Sequence, residues 1–132
     1  MNDDTKEEAH AGSFGLRLAF KSTGIERKEL NNLMTGTILS LGKDIDDYGK
    51  TLIGHIKAFI SVPGGSLRIN MVDLKIGPET DDRLPEGNIS EGEIRLMVAA
   101  IGISDKELKR LSQKSLEPMS RMLRLEVQTH EH

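Results

Sequence analysis

The sequence predicts an α+β domain: a two-layer sandwich in which an antiparallel sheet carries helices on one face. Three observations predict it: a period-two apolar run over residues 14–20, a helical apolar stripe from Leu30 to Leu41, and two β-rich runs flanking the turn Val62-Pro63-Gly64-Gly65. At 132 residues the chain fits one domain around one core. We expect that domain over residues 13–128, with a disordered acidic tail over 1–12 and a polar tail over 129–132. Hydrophobic residues make up 36% and charged residues 30%, enough apolar material to fold and enough charge to stay in solution. Phe14, Phe20, Phe59 and Tyr48 are the only aromatics, so the core must be built mainly from Leu, Ile, Val and Met.

The first element follows from alternation. Phe14, Leu16, Leu18 and Phe20 share one side of an extended chain and Gly15, Arg17 and Ala19 the other, which predicts a strand. Thr23 and Glu26 then stand at the spacing of a capping box, so a helix is expected to start there. Leu30, Leu33, Met34, Ile38 and Leu41 lie on one helical face, and Gly42 is placed to end it. Gly36 weakens that helix unless a strand approaches closely beside it.

The hairpin follows from its turn. Pro63 presets φ for the first turn position and Gly64 supplies the positive φ of the second. That loop sets Ile60 opposite Leu67, Ala58 opposite Ile69 and Ile56 opposite Met71, all on one side, and these six should be core. On the other side Phe59 meets Arg68, Lys57 meets Asn70 and His55 meets Val72. Ile53 and Leu74 then fall on the side of His55, which predicts a bulge near Gly54 and Asp73.

Residues 77–92 read as an acidic loop containing Pro78, Asp81, Asp82, Pro85 and Gly87. Residues 93–103 fit either a helix capped by Ser90 and Glu93 or a buried central strand, and we favour the strand, since a helix would leave the hairpin isolated by a long loop. Ser104 and Glu107 form another capping box, with Ile103 and Leu108 as a hydrophobic staple, opening a helix that should stop before Pro118. Leu123, Leu125 and Val127 alternate with charged residues in a last strand. The resulting order resembles the ferredoxin-like βαββαβ plan, with residues 93–103 as either an added strand or an extra helix. That plan hosts enzymes, RNA binders and regulatory modules alike and implies no single function.

Composition excludes some chemistry. The absence of cysteine removes disulfides, thiolate metal sites and cysteine nucleophiles. No apolar run approaches the ~20 residues of a membrane span and the first residues are acidic, so a cytoplasmic protein with no membrane association is expected. The net charge of −3 sits entirely within residues 1–12, where Asp3, Asp4, Glu7 and Glu8 face only Lys6. The remainder is neutral, so nucleic-acid binding is not favoured by overall charge.

Candidate sites follow from clustered side chains. His55, with Asp73 near it on the hairpin, has the parts of a general base, and these two are the catalytic candidates. Lys57, Phe59, Arg68 and Asn70 form a cationic strip beside an aromatic ring, the type of surface that holds phosphate or stacks a base, and they are the binding candidates. Asp44 and Asp46 with Gly49, like Glu79, Asp81, Asp82 and Glu86, gather carboxylates as a calcium loop does, but lack its final Glu. His130 and His132 alone cannot complete a metal site, so neither metal nor cofactor is expected. Val98, Gly102, Ile103, Leu108 and Leu111 match the apolar spacing of a helix-turn-helix DNA reader. These readings rank a non-catalytic binding or assembly module first, self-associating through its sheet. A nucleic-acid binder acting through residues 98–111 or the hairpin face comes second, and a small acid–base enzyme using His55 third.

Overall fold

The computed structural model describes the backbone of residues 11–131 and the side chains of residues 11–128. The acidic residues 3–8 and His132 lie outside the described residues. The chain runs β1 (Ala11–Glu26), α1 (Arg27–Asp47), β2 (Leu52–Val62), β3 (Gly65–Met71), β4 (Glu79–Arg83), β5 (Asn88–Ile101), α2 (Asp105–Ser115), α3 (Glu117–Met122) and β6 (Arg124–Glu131). Among the described residues these strands form one antiparallel sheet in the order β4-β3-β2-β5-β1-β6. The helices cover one face of it, and the fold is α+β as expected.

The predicted alternation of Phe14 to Phe20 belongs to a strand more than twice as long. After a register shift between Lys21 and Ile25, β1 resumes pairing with β5 through Ile25 and Ile89. Both of these side chains are buried. That ladder overrides the expected capping box: Thr23 is in the strand, and α1 starts behind Glu26, which makes no side-chain cap. Nor does α1 stop at Gly42. It continues to Asp47, and Gly42 is buried inside it where Met71 of β3 presses close; a Cβ there would stand 2.5 Å from the Met71 Cε. The close approach expected at Gly36 does not occur, since nothing lies within 4 Å of its Cβ position.

The hairpin has the predicted register at Ile56↔Met71, Ala58↔Ile69, Ile60↔Leu67, Phe59↔Arg68 and Lys57↔Asn70. All six predicted core residues are buried. Val72 lies beyond the end of β3, so His55 pairs instead with Ala99 of β5. The β2–β5 register shifts between Ile53 and His55, the bulge expected at Gly54, and it returns Ile53 to the core side opposite Ala100. Asp73 stands outside any strand, in a turn where its carboxylate accepts the Ile76 N–H at 2.7 Å.

One expectation about a loop needs correction. Residues 77–92 are not one loop, because they contain β4 and the start of β5. Among the described residues β1 begins at Ala11 and β6 runs to Glu131. Residues 93–101 lie in β5, a central strand as expected. Ser104 caps α2 by accepting the Glu107 N–H at 3.2 Å, and Ile103 and Leu108 are both buried. Pro118 sits in the first turn of α3, where its missing N–H breaks no helical bond.

The layers meet in an aliphatic core. Leu30, Met34, Ile38, Leu41 and Ile45 of α1 pack with Leu108 and Leu111 of α2 over the inward residues of β1, β2, β3 and β5. Each large side chain buried this way contributes about 1.5–3 kcal/mol of transfer free energy. Among the described residues, the opposite face of the sheet carries no helix.

Candidate functional site

The uncovered face is a set of cross-strand rows, because directly paired residues of an antiparallel ladder project from the same side. One row runs Arg17 (β1), Arg95 (β5), Phe59 (β2), Arg68 (β3) and Asp81 (β4). The next runs Gly15, Met97, Lys57, Asn70 and Glu79. Neighbouring strands are ~4.8 Å apart. The two rows therefore gather four cations around Phe59 and Met97 in the centre of the sheet.

Among the described residues no ion pair reaches Arg17, Lys57, Arg68 or Arg95; the pairs present are Arg27 with Asp82 and Glu86, Arg83 with Asp81, Arg110 with Glu107, and Lys114 with Asp44. Asp81, the carboxylate opposite Arg68, turns to Arg83 at 3.2 Å. Arg17 and Arg95 occupy directly opposed positions, an arrangement of like charges that destabilises a ladder. The Arg68 guanidinium lies over the Phe59 ring, 4.5 Å from its centroid. Among the described residues, two buried polar atoms on this face have no hydrogen-bond partner, the Arg17 Nε and the Asn70 Oδ1. Lys57, Phe59, Arg68, Asn70, Arg95 and Met97 line a shallow groove of ≈ 590 Å³, closed on the β4 side by Glu79 and Asp81.

Acidic and apolar residues frame the cations. Glu79 and Asp81 stand on the β4 side, and Glu93 and Glu126 flank Ala19 one row further along. At the other end, Leu52 pairs with Ile101, and they are 66% and 39% exposed, respectively.

The structure thus brings together all four binding candidates, Lys57, Phe59, Arg68 and Asn70, and adds Arg17 and Arg95, which the hairpin alone could not reveal. The signal for both was the same: an arginine at the outward position of an apolar alternation, Leu16-Arg17-Leu18 and Ile94-Arg95-Leu96. Only the long-range β1–β5 pairing shows that they meet.

The catalytic candidates are not joined. His55 is half-buried beside Ala99, Asp73 is held within its own turn, and no hydrogen bond or ion pair links them among the described residues. The helix-turn-helix reading fails because Val98 lies in β5, not in a helix. The carboxylates suspected of cation binding are dispersed. Asp44, Asp46 and Asp47 lie in the last turns of α1, with Asp44 3.6 Å from the Lys114 Nζ. Asp82 faces α1, away from Asp81, and its carboxylate takes hydrogen bonds from Arg27 at 2.9 Å, Asn31 at 2.8 Å and the Leu84 N–H at 3.0 Å. Burial pushes the Asp82 carboxyl upward, but these donors and the Arg27 charge outweigh it and hold the group below its ordinary value. His130 lies in β6 opposite Leu16.

The arrangement gathers positive charge, a flat aromatic ring and a side-chain amide on one face of the sheet. No protein-family model, no curated protein and no solved structure matches this chain.

Proposed function

We propose that the protein is a binding module whose uncovered sheet face takes single-stranded nucleic acid. The observation that carries this reading is the Arg17–Arg95 pair: two arginines opposed across a ladder, neither with a carboxylate partner among the described residues. Like charges so placed cost stability, and a bound polyanion removes the cost. Lys57 and Arg68 extend the positive surface to a width of ~14 Å across four strands. Overall charge gave no such signal, because the acidic tail and the acidic rim cancel the patch.

We also take β1, β2, β5 and β6 as a ferredoxin-like βαββαβ core. They stand in the order β6-β1-β5-β2, α1 and α2 lie in the two crossovers, and β3 and β4 form a hairpin added at the β2 edge. The hairpin supplies Arg68 and Asn70, so on this view the added element completes the site.

Binding of labelled single-stranded RNA and DNA, followed by fluorescence anisotropy across a salt series, tests the reading. Four phosphates neutralised on a single strand give a slope of about 3 in log Kd against log salt. Failure of both polymers to bind at low salt would overturn the proposal. A second reading, self-association through the same face, draws on the exposure of Leu52, Met97 and Ile101 there. Sedimentation of the free protein as a dimer would favour it.

A further inference from the structure

Charge alone does not account for this surface, and the remaining features select among polyanions. A phosphate or carboxylate oxygen only accepts hydrogen bonds, so a simple polyanion uses the cations and makes no use of the Phe59 ring or of the Asn70 amide, a group that both donates and accepts, in the same groove. Asn70 lies on the strand next to Lys57, one row from Phe59, and both line the same groove. Phe59 is half-buried, and the Arg68 guanidinium already stacks on it at 4.5 Å, so a planar group fits against that ring. A nucleobase combines what is missing: a flat face that stacks on an aromatic ring or a guanidinium plane, and N–H donors on its edge.

Resting on the nucleic-acid reading above, we propose that the groove between Phe59 and Asn70 is a nucleobase subsite, with one base stacked at the Phe59–Arg68 pair, its edge hydrogen-bonded to the Asn70 amide, and the flanking phosphates on Arg95, Arg17 and Lys57. The site is built from four strands, so its spacing is fixed by the sheet and not by a loop. Met97, 47% exposed beside Lys57, gives the base an apolar neighbour on its other side.

The test compares an RNA oligomer, the same oligomer with abasic sugars throughout, and inorganic polyphosphate, each titrated against the full chain at fixed salt. Base–aromatic stacking contributes ~1–3 kcal/mol per base, so wild type should bind the RNA at least ~5-fold tighter than the abasic oligomer. Phe59→Leu, which keeps every charge, should remove most of that difference and weaken RNA binding more than polyphosphate binding. Asn70→Ala should reduce it in the same direction. Equal affinity of wild type for RNA and abasic oligomer would overturn the subsite while leaving a purely electrostatic surface. Binding of none of the three would overturn both readings. The wild-type comparison decides even if a variant fails to fold. A free protein that sediments as a dimer, and becomes a monomer on Met97→Glu, would assign the face to a second copy of the chain and overturn the subsite.

Discussion

Two arginines at opposed ladder positions separate stability from binding at the scale of single residues. Arg17→Gln removes one member of the pair and its unpaired Nε, so the free protein should melt at the same temperature or up to about 3 °C higher, since a directly opposed like-charge pair costs ~0.2–1 kcal/mol. The same variant should weaken single-strand binding several-fold. A melting temperature that falls by several degrees would show that Arg17 supports the fold instead. Gly92 is the opposite case. A Cβ there would stand 2.5 Å from the Phe20 ring and 2.6 Å from the Ser61 carbonyl oxygen, so Gly92→Ala should destabilise by about 1–3 kcal/mol, measured by urea unfolding, without touching the site. Neither residue announced itself in the sequence, because each acquires its meaning from a partner many residues away. Phe59, Arg68, Lys57 and Asn70 were legible because a four-residue turn fixes their pairing locally.

Elements were legible where a local rule had no competitor. Ser104 caps α2 as its spacing predicts, and the Pro63-Gly64 turn fixes the β2–β3 register. Thr23 and Glu26 obey the same capping rule and fail it, because pairing of Ile25 with Ile89 buries two isoleucines and the capping box does not. The strand β4, Glu-Thr-Asp-Asp-Arg, was illegible for another reason: it has no apolar alternation at all. Polar contacts hold it instead, through the carboxylate of Asp82 against Arg27, Asn31 and the Leu84 N–H. Because the folded state lowers the pKa of Asp82 below its unfolded value of 3.8, its stabilisation is complete above that value and is lost as pH falls through the folded one. Wild type should therefore be more stable than Asp82→Asn at neutral pH, with the gap closing below pH ~4. Hydrogen exchange in β4 or paired melting curves would show it, and a gap independent of pH would contradict it.

At the scale of the whole molecule, the fold class was legible and the strand order was not. Alternation identifies strands but says nothing about neighbours, and the sheet places β5 between β1 and β2, contacts that span most of the chain. Those pairings bring Arg17 and Arg95 beside the hairpin and turn a four-residue strip into a charged platform. The acidic rim formed by Glu79, Asp81, Glu93 and Glu126 hides that platform from any average over the sequence. It also predicts selectivity in approach: an anionic single strand should be steered to the centre of the face, and raising ionic strength should slow association more than dissociation, measurable by stopped flow.

A single titration tests the central claim most directly: backbone and arginine side-chain NMR signals of the labelled protein followed as single-stranded RNA is added. The account predicts shifts confined to β1, β2, β3 and β5, largest at Phe59, Asn70 and the Nε–H groups of Arg17, Arg68 and Arg95, with α1 and α2 unmoved. Shifts centred on the helices, or none at saturating RNA, would contradict it.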